Sequence, residues 1–191
     1  QLTAETLDTT FYDGLELTRS YDTLGRNSGY TLQNSASSAL SAVNYTYGPA
    51  GRLASVSDSV DTFTYTYQNN SNLLASLEGP VHAVDYTYEP NRDLMTAIDN
   101  KAPDLLGGTL SKYGYTYDAL GRRDDRTQSG SNVNNASTDD FAYNPRSEVI
   151  ASTNDAQADP AWNPTFDYDK IGNRKTASGG ALPATPVAYL A

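Results

Sequence analysis

The chain has 191 residues, with 23 Asp and Glu against 13 Lys and Arg and a formal net charge of −10. This balance argues against nucleic-acid binding, which needs cationic side chains to neutralise phosphates. The absence of Cys excludes disulfides and thiolate metal sites, and a single His argues against a His-based triad or a zinc site. No apolar run approaches the ~20 residues of a membrane helix, so we expect no membrane insertion.

Tyrosine replaces the usual aliphatic residues as the main large apolar side chain. Leu, Ile, Val and Phe together make up less than a fifth of the sequence. In a chain with a high net charge, a combined fraction below about 20% is typical of disorder. The 15 Tyr argue against disorder, because Tyr favours strands and buries a large ring. Sustained helical periodicity is absent, and the composition therefore favours a β fold.

A pair of rings separated by one residue recurs along the chain. The full pairs are Tyr45 and Tyr47, Tyr65 and Tyr67, Tyr86 and Tyr88, Tyr115 and Tyr117, Phe141 and Tyr143, and Phe166 and Tyr168, while Tyr21 keeps only the second ring. This spacing predicts seven hairpin repeats across residues 19–176. We expect a degenerate first repeat or an N-terminal strand over residues 1–18, and an irregular tail over residues 177–191.

A turn signature follows the second ring of the repeats. Asp or Asn stands first, where it accepts local backbone hydrogen bonds, and Gly stands fourth, where it supplies a positive φ. The residues that carry this signature are Asp22, Gly25 and Arg26; Gly51 and Arg52; Asp118, Gly121 and Arg122; and Asp169 and Gly172. We predict type I turns closed by a glycine bulge, with the three arginines in line and ion-paired to Asp22 and Asp118 where those are present.

The predicted fold is therefore all-β: serial antiparallel hairpins that form one curved or spiralling sheet, similar to a shell or solenoid. Because side chains alternate along a strand, the two rings of each pair face one side of the sheet. We interpret the rings as packing within the wall, with a ligand platform as the alternative. Four longer loops are expected, over residues 33–42, 99–112, 128–139 and 153–165.

Few other residues suggest chemistry. Asp124 and Asp125, and Asp139 and Asp140, are paired carboxylates that we expect to be solvated loop charges, with calcium binding or catalysis as alternatives. Trp162 is expected to anchor a loop, or else to present a ligand platform. We therefore predict no enzyme activity, no metal and no cofactor.

The Tyr-Asp-x-x-Gly-Arg sequences at Tyr21–Arg26 and Tyr117–Arg122 resemble the YD repeat of bacterial Rhs proteins, toxin-complex shell subunits and teneurins. The resemblance covers residues 11–176. In that family, stacked hairpins form a sheet that spirals into a hollow shell, and seven units imply an arc or a short spiral. The family's Asp-Pro-x-Gly autoproteolytic motif is missing, because Asp159–Pro160 is followed by Ala and Trp.

The resemblance implies a non-catalytic structural protein, secreted or at the cell surface of a bacterium. Its partners would be further copies, joined through open sheet ends, or neighbouring repeats of a larger chain, which gives a shell segment or an extracellular fibre. A glycan or an enclosed protein cargo is a further expected partner. The alternative is an adhesion module that binds a carbohydrate or a cell-surface receptor.

Overall fold

The computed structural model describes residues 3–6, 14–102, 108–156 and 163–179. Within these ranges the chain forms 15 β strands and no helix, and the strands stand in chain order in one open antiparallel sheet. The strands are β1 (Ala4–Thr6), β2 (Glu16–Tyr21), β3 (Asn27–Gln33), β4 (Ala39–Tyr47), β5 (Leu53–Ser57), β6 (Thr62–Tyr67), β7 (Leu74–Glu78), β8 (Ala83–Tyr88), β9 (Met95–Lys101), β10 (Thr109–Tyr117), β11 (Arg123–Ser129), β12 (Ser137–Tyr143), β13 (Val149–Asn154), β14 (Thr165–Tyr168) and β15 (Arg174–Ser178). This confirms the prediction of an all-β sheet of serial hairpins. In the described ranges no helix is long and apolar enough to cross a membrane.

The chain divides into two compact units, and the division falls between Val84 and Asp85. Each unit contains the same hairpin. In the first unit, Tyr45 pairs with Val56 and Thr46 with Ser55. The register then shifts by one residue, as a β-bulge immediately before the turn, so that Tyr47 pairs with Leu53.

The second unit repeats this register at its own hairpins. The shift falls at the second ring each time, where Tyr117 pairs with Arg123, Tyr143 with Val149, and Tyr168 with Arg174. A bulge increases the local twist of the strand and re-aims the side chain beside it. In these hairpins the second ring is therefore the residue at which the strand leaves the regular ladder and enters the turn.

The two faces of the strands differ in their side chains. Both rings of each pair are half-buried and the residue between them is exposed, except that Tyr21 lacks a first ring. On the exposed side, the hydroxyls of Thr46 and Ser55 are 2.6 Å apart, and those of Thr87 and Thr96 are 2.9 Å apart. Such cross-strand pairs add about 0.2–1 kcal/mol each.

Only two apolar side chains in the described residues are buried, Val84 and Ala177, each 6% exposed. The packing that stabilises a globular core is therefore scarce here. Contacts between neighbouring hairpins must supply most of the stability, as in repeat proteins.

The longer loops predicted from the sequence are shorter in the structure. Residues 33–42 contain the end of β3, a tight turn and the start of β4. Asn34 closes this turn, because its Oδ1 accepts hydrogen bonds from Ala36 N and Ser38 N at 3.0 and 2.9 Å. The loop prediction failed because a side-chain cap replaced the Gly and Pro that normally announce a tight turn. The predicted first unit and tail are described only at residues 3–6, 14–18 and 177–179.

Candidate functional site

The turn that follows the second ring, here called the ring turn, is closed by the same backbone hydrogen bond in five of the seven repeats, and the turns after Tyr67 and Tyr88 are one residue longer. At the first one, Asp22 N donates to Arg26 O and Gly25 N donates to Asp22 O, both at 2.9 Å. The fourth residue of this turn, Gly25, has a φ of 77°. The same left-handed conformation occurs at Gly51, Gly121 and Gly172, with φ values of 75°, 79° and 93°, and at Ser147, with 64°.

The first residue of the ring turn uses its side chain to hold the turn closed. Asp22 Oδ1 accepts hydrogen bonds from Leu24 N and Arg26 N at 2.9 Å each, and its Oδ2 lies 2.6 Å from Arg26 Nε. Partial burial acts to raise the pKa of Asp22, but the hydrogen bonds from Arg26 and Leu24 outweigh it and lower that pKa. Asp118 makes the same three contacts with Leu120 and Arg122, and its pKa is lowered against burial in the same way.

In two further ring turns the first and fifth residues are hydrogen-bonded to each other although the Asp–Arg ion pair is lost. The Asn144 amide donates to the Glu148 carboxylate, which reverses the polarity of the Asp–Arg pair. Asp169 Oδ2 accepts from Asn173 Nδ2 at 3.0 Å, so a neutral amide takes the place of the arginine as the donor. The predicted signature has Arg alone at the fifth position, so this exchange of donor and acceptor was not predicted.

The second ring binds the preceding repeat through its hydroxyl. In the first unit, Tyr47 donates to Asn27 O at 2.7 Å and Tyr67 donates to Leu53 O at 2.9 Å. The acceptor is the residue that opens the returning strand of the preceding hairpin. Since the acceptor is a main-chain carbonyl, its side chain has no part in the bond.

The second unit makes the same hydroxyl bonds. The donor and acceptor pairs are Tyr117 with Met95 O at 2.6 Å, Tyr143 with Arg123 O at 2.7 Å, and Tyr168 with Val149 O at 2.8 Å. Burial raises the pKa of Tyr143 further above neutral pH, where a tyrosine is already protonated and able to donate. Tyr88 lies at the end of β8, and burial raises its pKa as well.

The hydroxyl bond explains why the second ring is Tyr at 47, 67, 117, 143 and 168, whereas the first ring is Phe at 141 and 166. Tyr45, Tyr65 and Tyr115 occupy first-ring positions without a hydrogen bond from their hydroxyls within the described residues. Phe therefore serves equally at a first-ring position. Tyr86 occupies the corresponding position in β8.

The arginine at the fifth position of a ring turn covers the second ring of the next repeat. The guanidinium carbon of Arg26 lies 4.2 Å from the centre of the Tyr47 ring, and that of Arg52 lies 4.5 Å from the Tyr67 ring. In the second unit, Arg122 lies 4.6 Å from the ring of Tyr143. Each stack is worth about 0.5–1 kcal/mol at an exposed site.

Two arginines outside the predicted turn signature also reach the next repeat, through hydrogen bonds from other positions of the ring turn. Arg92 donates to Asp118 O at 2.7 Å, and Arg146 donates to Asp169 O and Lys170 O at 2.6 and 2.7 Å. Both reach the main chain of the next ring turn. The sequence could have indicated this role, because five of the seven ring turns contain an Arg, although its position in the turn varies.

The four candidate carboxylates lie in strands, Asp124 and Asp125 in β11 and Asp139 and Asp140 in β12, so the prediction that they are loop charges was wrong. Asp139 is not a solvated loop charge: it lies in β12, is 8% exposed and is 2.7 Å from Arg126 Nε. Asp125 and Asp140 come from different sequence pairs but stand opposite each other across β11 and β12. A hydrogen bond with Asp125, together with burial and charge repulsion, raises the pKa of Asp140.

The described residues contain no group of three or more His, Cys, Asp or Glu side chains that could hold a metal ion. Asp124 lies in β11 beside Asp125. Trp162 lies outside the described residues, so the ligand platform proposed for it stays a prediction.

These contacts define an all-β repeat protein in which, within each unit, neighbouring hairpins are bonded through main-chain carbonyls. No family model and no curated protein matches the chain. Among solved structures, it is similar to TcdB2-TccC3 without the hypervariable C-terminal region, with 15% identity and a TM-score of 0.47 over 93% of this chain and 12% of that one. A Tc holotoxin pore from Photorhabdus luminescens has 13% identity and a TM-score of 0.40 over 85% of this chain and 12% of its own.

A porin-like protein from Bacteroides uniformis ATCC 8492 is also similar, with 13% identity and a TM-score of 0.45 over 91% of this chain and 86% of that one. The chain thus spans about an eighth of the length of the toxin chains that it matches. Because all these TM-scores are below 0.5, the likenesses define neither a family nor an activity for the chain.

Proposed function

We propose that the chain is a non-catalytic structural protein, a segment of a β wall that is secreted or displayed at a bacterial surface. The observation that carries this proposal is the hydroxyl bond from five of the seven second rings to the preceding repeat, such as Tyr143 to Arg123 O at 2.7 Å. The side chains with the most potential for chemistry are used for joining hairpins. The arginines cover rings and bind carbonyls, and the turn aspartates close turns.

The carboxylates support the same proposal. Asp139 is held by Arg126 and by Asn154, whose Nδ2 lies 2.6 Å from the Asp139 Oδ1. Both oxygens of this carboxylate are therefore occupied by donors of the protein itself. We expect no catalytic activity from this group.

The partners follow from the sheet order. Of the described strands, β1 and β15 are the first and the last, and each has one neighbour. Such strands offer N–H and C=O groups that can pair with another chain. We therefore expect end-to-end pairing, either with further copies of this chain or with additional repeats of a longer one. Contacts of this kind that do not close give filaments.

Light scattering and negative-stain electron microscopy of the purified chain test this function. The net charge of −10 opposes association, and its repulsion extends about 30 Å in 0.01 M salt but only about 3 Å in 1 M salt. We therefore expect salt to shift the mass from 20.6 kDa to multiples of it, with rods or fibres in the micrographs. A mass of 20.6 kDa at all salt and protein concentrations would contradict self-assembly of this chain.

A further inference from the structure

One ring turn has the common backbone but lacks the side chain that normally closes it. In the turn 48–52, Gly48 N donates to Arg52 O at 2.8 Å and Gly51 N donates to Gly48 O at 2.9 Å. The φ of Gly51 is 75°, against 77° for Gly25 in the Asp22 turn. The N–H groups of the third and fifth residues are therefore arranged alike in the two turns.

The two turns differ in what those N–H groups bind. In the Asp22 turn, one carboxylate accepts from Leu24 N, Arg26 N and Arg26 Nε. Gly48 brings no carboxylate. The three corresponding donors, Ala50 N, Arg52 N and Arg52 Nε, have no acceptor among the described residues.

Other contacts hold Arg52 in position. Its guanidinium lies over the Tyr67 ring at 4.5 Å, and one terminal nitrogen donates to Ser71 O. No carboxylate of the described residues lies within 4.0 Å of it, whereas Arg26 and Arg122 are each ion-paired at 2.6 Å. A cation oriented in this way, with free N–H groups beside it, is suited to bind an anion.

The space around Arg52 admits a ligand. A pocket of about 290 Å³ is lined by Ala50, Arg52, Asn70, Ser71 and Asn72. A Cβ atom built on Gly48 would meet nothing nearer than Arg52 O, at 3.8 Å. The lining amides and hydroxyl both donate and accept hydrogen bonds, which is what a ligand with several hydroxyl groups requires.

We propose that the ring turn at Gly48–Arg52 binds the carboxylate of an acidic sugar, such as a uronic acid, in the place that an Asp side chain occupies in other ring turns. The carboxylate accepts from Ala50 N, Arg52 N and Arg52 Nε. The sugar hydroxyls face Asn70 and Asn72. This site adds a binding function to the wall and does not depend on how the wall assembles.

Amide chemical shifts of the full chain test the site, with glucuronate, acetate and glucose as probes. We expect glucuronate to shift the Ala50 and Arg52 amides with saturation in the millimolar range, acetate to bind several-fold more weakly, and glucose to leave both unchanged. Unchanged amides at saturating glucuronate would overturn the site. Equal affinity for acetate and glucuronate would overturn the assignment to a sugar.

Variants at Gly48 supply matched controls, because its backbone has no positive φ and its Cβ position is open. Gly48→Asp and the uncharged Gly48→Asn both provide an internal acceptor, as Asn144 does for Arg146 N at 2.9 Å. Each should weaken glucuronate binding at least about tenfold, while Gly48→Ala should not. Equal affinities in Gly48→Asn and Gly48→Ala would refute the proposed geometry.

A variant in a second ring turn tests whether the proposed site can be created where it is absent. Asp118→Gly removes the acceptor from the turn that holds Arg122, and it should make the Leu120 and Arg122 amides responsive to glucuronate. Native-like amide spectra confirm that each variant is folded before binding is compared. A folded Asp118→Gly chain without that response would count against the carboxylate mechanism.

Discussion

Replacing Tyr117 by Phe removes a single hydroxyl from the contact between two repeats. That hydroxyl donates to Met95 O at 2.6 Å, and the ring itself is half-buried and stays in place. A neutral hydrogen bond contributes about 0.5–1.5 kcal/mol net, and a stranded carbonyl costs more when water cannot reach it. Because the ring is only half-buried, water reaches part of this contact, and we expect a loss of about 1 kcal/mol in the free energy of unfolding.

Urea denaturation measures this loss. With an m value of about 2 kcal/mol/M, a change of about 1 kcal/mol lowers the midpoint by about 0.5 M urea at constant m. Tyr115→Phe is the matched control, because it lies two residues earlier on the same strand and its hydroxyl makes no hydrogen bond among the described residues. Its ring remains under Arg123, at 4.1 Å, so we expect a midpoint shift near zero.

The double variant Tyr117→Phe, Tyr143→Phe then tests whether the repeats are bonded one by one. The two hydroxyls have different acceptors, Met95 O and Arg123 O, so their losses should add to within about 0.5 kcal/mol. Equal midpoints for Tyr115→Phe and Tyr117→Phe would refute the reasoning that the hydroxyl, and not the ring, requires Tyr at the second-ring position.

Three further changes test other contacts. Arg122→Ala combined with Tyr143→Leu should show a coupling energy of about 0.5–1 kcal/mol in a double-mutant cycle, because the guanidinium covers that ring at 4.6 Å; zero coupling would contradict the stack. Asp140→Asn should stabilise the chain at pH 7: its pKa in the folded state is raised by Asp125, so the wild type loses stability as the pH rises through that value, and thermal melts of the variant should lack this fall. Gly121→Ala should cost about 1–2 kcal/mol in urea melts, because φ there is 79°; an unchanged midpoint would refute strain at this turn.

The period of the rings and the glycine of the turn were readable from the sequence because both are local. Alternation places Tyr45 and Tyr47 on one face, and a positive φ calls for glycine at Gly25. The pairing of Asp125 with Asp140 was not readable, because it depends on the register of two strands whose connection contains no ring signature. The acceptors of the Tyr hydroxyls could not be predicted for a different reason. They are main-chain carbonyls, which every residue has, so no residue type identifies them.

This choice of acceptor has a consequence for how the sequence can vary. Five second rings donate to the carbonyls of Asn27, Leu53, Met95, Arg123 and Val149, which share no side-chain property. The side chain of the acceptor residue takes no part in the contact, so we expect that residue to be replaceable while the donor is not. Arg92, Arg122 and Arg146 extend the argument, because each reaches a main-chain carbonyl of the next ring turn from a different turn position. In a repeat protein built on such contacts, variation at the acceptor positions should therefore be tolerated, and loss of a second-ring hydroxyl should not.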